Sequence, residues 1–173
     1  MRRISTAKSR RLSALAAGGP TARKFSPAAR PVTEVRVTGR PAGITLTVVR
    51  HIVTSVVAWE AGSSEPPTYL SFTFLFAPAM RRLNREWLGQ DCPTDVLSFT
   101  LTHPDGGISG DIYICPTVAA AAARERAITA REELIRLVVH GTLHVLGHDH
   151  PEGPGRMRSV MWRRQERYVK ALA

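Results

Sequence analysis

Histidines are concentrated in one short part of this chain, and their spacing limits the local structure. Four of the six histidines lie within the eleven residues His140–His150, in the order HGTLHVLGHDH. The apolar pattern predicts a helix over about residues 132–146, on which His140 and His144 are one turn apart and share a face. Two imidazoles at this spacing can converge on one metal ion.

A glycine after the second histidine predicts how a third ligand joins this pair. Gly147 can adopt the left-handed conformation that ends a helix and reverses the chain. Either His148 or His150 could then reach back, and we favour His150 because two more residues let the chain turn fully. Asp149 either accepts a hydrogen bond from a ligand imidazole, caps the next segment or faces water.

The composition of the cluster indicates a catalytic metal site rather than a structural one. Three imidazoles around zinc leave a fourth position for water, whereas structural zinc sites are usually closed by thiolates. The two cysteines, Cys92 and Cys115, are distant in sequence, although Cys115 could approach in space. Outside the cluster, His51 and His103 are expected to be solvated or packed side chains. One Zn²⁺ ion per chain is therefore expected.

Zinc held in this way lowers the pKa of its water from about 15.7 towards about 7 and polarises a phosphoryl oxygen. In H-E-x-x-H peptidases a glutamate after the first histidine is the general base, but that position here is Gly141. A carboxylate such as Asp95 or Asp111 could substitute, although capping a strand end is the more ordinary role of each. The catalytic residues beyond the metal ligands therefore stay unknown.

The rest of the chain predicts strands early and helices late. Strand patterns begin near residue 33 and recur at 69–76, 95–100 and 111–115. Helical patterns cover 44–59, 78–88, 117–127, 132–146 and 156–170. This order indicates an α+β fold in which helices pack on a small mixed sheet of about four strands, with the metal site on a helix-glycine turn.

Basic residues are concentrated near the N-terminus. Residues 1–42 hold ten basic residues and one acidic residue, so nine of the ten net positive charges of the chain lie there. Residues 1–32 have few large apolar side chains, and we expect a disordered basic tail followed by a single domain over 33–173. The net charge alone is therefore no evidence for a nucleic-acid groove, although the tail could attract RNA phosphates.

Two classes of protein are disfavoured by simple counts. The longest uncharged stretch, residues 66–80, has fifteen residues and three prolines, whereas a membrane-spanning helix needs about 20 mostly apolar residues. Two cysteines are too few for a disulfide framework, which fits a reducing compartment.

The histidine cluster closely resembles the H-G-x-L-H-L-x-G-x-D-H signature of the YbeY family, single-domain zinc-dependent endoribonucleases of bacterial rRNA maturation. Leu83-Asn84, Pro93–Phe99 (PTDVLSF) and Gly110–Ile114 (GDIYI) match other segments of that family in order and spacing. The resemblance covers about residues 33–168. It implies that the metal ligands are His140, His144 and His150.

The resemblance also implies a cytoplasmic enzyme that cleaves single-stranded RNA in 16S rRNA 3′ end maturation and ribosome quality control, with the small ribosomal subunit as partner. Leu88 stands where the family usually carries an arginine that helps to handle RNA, so this role is not carried over. His148 stands where tyrosine is common. Arg81, Arg82 or Arg85 could contact phosphates instead, or be solvated surface residues.

Two other functions stay open. The first is a metallohydrolase acting on peptides or small molecules, which turnover of peptides by protein inactive on RNA would favour. The second is a non-catalytic ribosome assembly factor with structural zinc. Salt-sensitive binding to the small subunit, retained by a folded histidine variant, would favour the second.

Overall fold

A computed structural model describes residues 33–61, 66–104 and 106–173. The tail expected over residues 1–32 lies outside these ranges. The strands are β1 (Thr33–Thr38), β2 (Thr68–Phe74), β3 (Val96–Thr102) and β4 (Ile108–Ile114). The helices are α1 (Leu46–Glu60), α2 (Ala77–Leu88), α3 (Pro116–Glu125), α4 (Ala130–Val145) and α5 (Val160–Leu172). Among the helices of the described ranges, none has the length and apolarity needed to cross a bilayer.

The four strands form one mixed sheet in the order β1-β2-β4-β3. β1, β2 and β4 run parallel, with Val35 beside Leu70 and Leu70 beside Gly110. β3 runs antiparallel to β4, with Ser98 beside Ile112. The α+β fold with a small mixed sheet and helices packed on it, predicted from the sequence, is therefore confirmed.

The main core lies between one face of the sheet and helices α1 and α4. Alternate residues of β2, among them Leu70 and Phe72, are buried on this face, as is Ile112 of β4. Helix α1 buries the stripe Val49, Ile52, Val53, Val56 and Val57. Its β-branched residues favour strands intrinsically, so here the helical spacing of the apolar residues outweighs propensity.

Two glycines let α4 lie unusually close to the sheet. A Cβ on Gly141 would come within 2.7 Å of the Ile112 Cγ2 atom. A Cβ on Gly110 of β4 would come within 2.5 Å of both methyl groups of Val145. Because real Cβ atoms do not approach so closely, the backbones of α4 and the sheet can meet only where side chains are absent.

Helix α2 contributes to a second buried cluster. Met80 of α2 packs there with Leu97 and Cys115, and Leu88 contacts the same cluster. Cys115 is thus an ordinary buried thiol, while Cys92 is exposed. The helix ends at Gly89, which has a left-handed φ of 70°.

The last helix begins later than the sequence pattern predicts. Residues Arg156–Arg158 form a short 3₁₀ turn, and α5 begins at Val160. The Ser159 hydroxyl accepts a hydrogen bond from the Trp162 N–H at 3.0 Å, so Ser159 is the N-cap. At the start of α4 the Thr129 hydroxyl accepts a hydrogen bond from the Glu132 N–H at 3.0 Å, so Thr129 is the N-cap of that helix.

Candidate metal centre

The turn after α4 has the geometry that a glycine permits. Gly147 has a φ of 90°. The Gly147 N–H donates to the His144 carbonyl and the His148 N–H donates to the Leu143 carbonyl, both at 3.0 Å. These two bonds are those of a Schellman motif, which satisfies the last carbonyls of a helix while the chain reverses. The reversal predicted from Gly147 is therefore present.

Three histidines meet at this turn. The Nε2 atoms of His140 and His144 are 3.1 Å apart. The ring centroid of His150 lies 5.2 Å from that of His140 and 5.1 Å from that of His144. One nitrogen from each of the three rings lies within 4.8 Å of the others. Ligand nitrogens of tetrahedral zinc are about 3.4 Å apart, because each Zn–N bond is about 2.0–2.1 Å, so these rings could hold a metal ion.

A side chain of α5 fixes the orientation of the His140 ring. His140 Nδ1 is 2.7 Å from the Oε1 atom of Gln165. The other end of that amide, Nε2, donates to a Glu166 carboxylate oxygen at 2.8 Å, so Oε1 faces the imidazole as an acceptor. His140 Nδ1 therefore carries the ring proton, and the lone pair of Nε2 faces the cluster.

The His150 ring is fixed by the backbone. Its Nδ1 donates to the carbonyl oxygen of Pro151 at 3.1 Å, because a carbonyl can only accept. Its Nε2 is buried and has no hydrogen-bond partner within the described ranges. A buried polar atom without a partner is costly, and a metal ion would satisfy it. The donor set and the orphaned nitrogen thus fit a divalent metal.

Burial keeps the three imidazoles neutral. It lowers the pKa of His140 well below the ordinary value, and the nearby His144 acts in the same direction. Burial, followed by the charge of His150, lowers the pKa of His144 to about 4. Burial also lowers the pKa of His150. Neutral rings present lone pairs near pH 7 without competition from protons, as metal binding requires.

The competing ligand His148 points elsewhere. Its Nε2 is 2.8 Å from the Oε2 atom of Glu60. The Arg164 guanidinium donates to the same oxygen, and the Tyr168 hydroxyl donates to Oε1 of that carboxylate. Burial raises the pKa of Glu60, but the hydrogen bond from Tyr168 and the charges of His148 and Arg164 outweigh it and lower the pKa. This group ties α1 and α5 to the turn that carries His150.

Asp149 has two of the roles considered from its sequence position. Its side chain is 85% exposed, and one carboxylate oxygen accepts the His150 N–H at 2.7 Å. The same oxygen lies 4.0 Å from His144 Nδ1, which is too long for a hydrogen bond. Asp149 therefore caps the backbone and faces water, and it reaches the His144 ring through charge rather than a bond.

Neither candidate general base belongs to the histidine cluster. Asp95 accepts hydrogen bonds from the Thr94 hydroxyl at 3.1 Å and the Val96 N–H at 2.9 Å, so it caps the start of β3. Burial raises its pKa. Asp111 of β4 lines a cavity on the sheet with Tyr69.

Two of the three arginines considered for phosphate contacts have an acidic partner. The Nε of Arg81 donates to an Asp91 carboxylate oxygen at 2.9 Å, and Arg85 lies 3.5 Å from the same carboxylate. The side chains of Arg81, Arg85 and Asp91 are each about half exposed. Arg81 and Arg85 of α2 therefore form a surface ion-pair group with Asp91.

The sequence reasoning missed the role of Gln165. A signal was present, because Met161, Gln165 and Tyr168 recur at helical spacing and all three are buried on α5. A glutamine within such an apolar stripe indicates a buried polar group that needs a partner. The partner itself, His140, is 25 residues away and could not be identified from local spacing.

Comparison with known proteins identifies the family. The family model described as "Endoribonuclease YbeY" matches residues 42–173. The chain belongs to the YbeY family. A YbeY protein described as "Endoribonuclease YbeY" from Thermotoga petrophila is 31% identical over 139 residues, which cover 80% of this chain and 88% of that protein.

Other YbeY relatives match over shorter regions. Those from a Thermotoga species and from Beutenbergia cavernae are 41% and 43% identical, and the chain spans 60% and 64% of their own lengths. The solution structure of TM1509 from Thermotoga maritima superimposes with a TM-score of 0.55 at 26% identity, covering 82% of this chain and 89% of that one. The fold of this chain is thus similar to a solved structure across most of its length.

Proposed function

We propose that this YbeY-family chain is a zinc-dependent endoribonuclease that cleaves single-stranded RNA. The observation that carries the proposal is the convergence of three neutral imidazoles on one point, where the buried His150 Nε2 has no partner among the described residues. Relatives described as "Endoribonuclease YbeY" support RNA as the substrate. The proposed role is maturation of the 16S rRNA 3′ end and ribosome quality control in the cytoplasm, with the small ribosomal subunit as partner.

One Zn²⁺ ion is proposed to bind His140, His144 and His150. Three nitrogen ligands leave a fourth position of a tetrahedron available. Zinc bound there supplies a Lewis acid that lowers the pKa of water and polarises a phosphoryl oxygen. The chain itself orients the ligands, since Gln165 and the Pro151 carbonyl hold two of the rings by their Nδ1 protons.

The domain organisation is part of the same proposal. Residues 33–173 are proposed to form a single catalytic domain, and residues 1–32 a basic tail. The tail carries much of the positive charge of the chain. It would add attraction to RNA phosphates that does not depend on RNA sequence.

The packing of α4 argues against a peptidase of the H-E-x-x-H kind. The glutamate of such an enzyme would replace Gly141, whose Cβ position lies 2.7 Å from Ile112 and 3.2 Å from the Ser98 hydroxyl oxygen. A longer side chain at that place would collide with the sheet. The usual base of peptide hydrolysis is therefore absent for a steric reason.

The proposal is tested with the full chain on a single-stranded rRNA fragment and on the same fragment in a duplex. Zinc content and cleavage are measured for the wild-type protein before and after chelation and for His144→Ala. The exposed His51 on α1 provides a matched control, His51→Ala. We expect zinc and cleavage of the single strand to be lost together in His144→Ala and retained in His51→Ala.

Other results would overturn the proposal in distinct ways. Cleavage that survives complete removal of zinc would indicate a contaminating nuclease. Hydrolysis of a peptide panel by protein inactive on RNA would point to a different metallohydrolase. Salt-sensitive binding of the small ribosomal subunit by folded His144→Ala, without RNA cleavage by any variant, would point to an assembly factor.

A further inference from the structure

The guanidinium of Arg156, on the turn after the histidine cluster, contacts a ring but has no acceptor for its N–H groups among the described residues. None of its N–H groups makes a hydrogen bond or ion pair within residues 33–61, 66–104 and 106–173, and its Nε is fully buried. This differs from Arg126 and Arg136, which are bound by carboxylates. A buried N–H donor without an acceptor costs free energy, and Arg156 Nε is such a donor.

Local structure holds this side chain in place. The 3₁₀ turn Arg156–Arg158 begins six residues after His150, and the Arg156 N–H donates to the Gly153 carbonyl at 3.1 Å. The guanidinium carbon lies 5.4 Å from the centre of the Trp162 ring, a cation–π contact. Both the backbone and the stacking partner therefore restrict where the guanidinium can point.

The turn that carries Arg156 packs against the segment that fixes His150, because a Cβ on Gly155 would lie 3.2 Å from the Cγ atom of Pro151, whose carbonyl accepts from His150 Nδ1. The ring partner of Arg156, Trp162, lies one turn before Gln165 on α5, and Gln165 contacts His140.

Burial lowers the pKa of Arg156 itself, and among the carboxylates that attract it Glu133 and Glu166 are already bound to other arginines. The third, Asp95, is buried and bonded to its own neighbours. A desolvated cation without a bound counter-ion costs free energy that an anionic ligand would recover.

We propose that Arg156 binds an anionic phosphoryl oxygen of the substrate beside the three-histidine cluster. The three imidazoles bring no negative charge, so an approaching anion meets no repulsion from them. The planar fork of a guanidinium matches two oxygens of one phosphate group. The identity of the ligand as an RNA phosphodiester rests on the proposed function, whereas binding of a phosphate anion does not.

The first test measures anion binding without catalysis. Inorganic phosphate is titrated into the metal-free and the zinc-loaded full chain, and the Nε–Hε signals of the arginines are followed by NMR. The Arg156 signal is assigned from its loss in Arg156→Gln. We expect phosphate to shift the Arg156 signal in both forms and to leave that of the exposed Arg158, on the same turn, unchanged. An unmoved Arg156 signal in both forms would overturn the inference.

The second test measures the RNA substrate. Arg156→Gln should lower kcat/KM by roughly 10- to 100-fold, as expected for loss of a charge-assisted hydrogen bond, while zinc content stays at the wild-type level. Arg156→Lys, which keeps the charge but loses the fork, should be intermediate. Arg158→Gln changes the net charge equally and should retain wild-type kcat/KM. Equal losses in Arg156→Gln and Arg158→Gln would overturn the inference in favour of general electrostatic attraction.

The two tests separate this inference from the proposed function. RNA cleavage by the wild type with no effect of Arg156→Gln would leave the ribonuclease function standing and overturn the role of Arg156. A phosphate-induced shift of the Arg156 signal in a protein that does not cleave RNA would support the anion site and overturn the ribonuclease function. An anion site would then exist beside a metal centre of another activity.

Discussion

At the scale of single residues, the histidine cluster depends on groups outside it. The Gln165 amide is held between the Glu166 carboxylate and the His140 ring, so it can only accept from that imidazole. Glu166 is in turn bound by Arg136, which also bonds Glu132 and Glu133 of α4. A chain of hydrogen bonds therefore connects α4, which carries His140, to α5, which orients the His140 ring.

We predict that Gln165→Met weakens zinc binding. Methionine has a similar length but cannot accept the His140 Nδ1 proton, so the ring loses the bond that orients it. The dissociation constant for zinc should rise by about 10- to 100-fold, as is typical for loss of such a partner. Competition with a chromogenic chelator measures the constant. Gln90→Met, at an exposed glutamine after α2, is the control, and equal zinc affinity in both variants would contradict the prediction.

At the scale of secondary structure elements, the turn at the end of α4 decides where His150 lies. Gly147 has open space around its Cβ position, so only its φ of 90° restricts the residue there. The Schellman bonds then direct the chain back towards α4. This is an element that local sequence could predict, because the helix spacing and the glycine signal both lie within eight residues of each other.

We predict that Gly147→Ala destabilises the protein by about 1–2 kcal/mol, the cost of a left-handed conformation for a residue with a Cβ. Gly147→Asn should cost less, because asparagine tolerates this conformation. Urea unfolding of the metal-free proteins measures both changes. If alanine and asparagine cost the same, the strain at this turn would not be conformational.

At the scale of the whole molecule, the structural features that depend on residues close in sequence could be predicted. The contacts between residues far apart in sequence could not. The histidine spacing correctly predicted that His140 and His144 share a helix face, and the spacing of apolar residues correctly predicted helix α1. The strand order β1-β2-β4-β3 was not predictable, because pairing of parallel strands is a long-range contact. The contact between His148 and Glu60 joins residues 88 positions apart, and it arises only once α1 and α5 pack beside the turn.

The stability of the metal-free protein should fall as the solution becomes acidic. His144 has a pKa of about 4 in the folded chain, against an ordinary value of 6.5. Between these values the unfolded chain binds more protons, so the free energy of unfolding rises with pH. The contribution of His144 is fully present above about pH 6.5 and is lost towards about pH 4, a change of about 3 kcal/mol. Burial of His140 and His150 acts in the same direction.

Urea unfolding at about pH 7 and about pH 5 checks this prediction. His144→Gln removes one titrating ring, so its loss of stability between the two conditions should be smaller than that of the wild type. His51→Ala removes an exposed ring and should behave like the wild type. Equal losses in all three proteins would mean that other groups cause the acid sensitivity. Zinc should raise stability more at about pH 7 than at about pH 5, because protons compete with the metal for the same lone pairs.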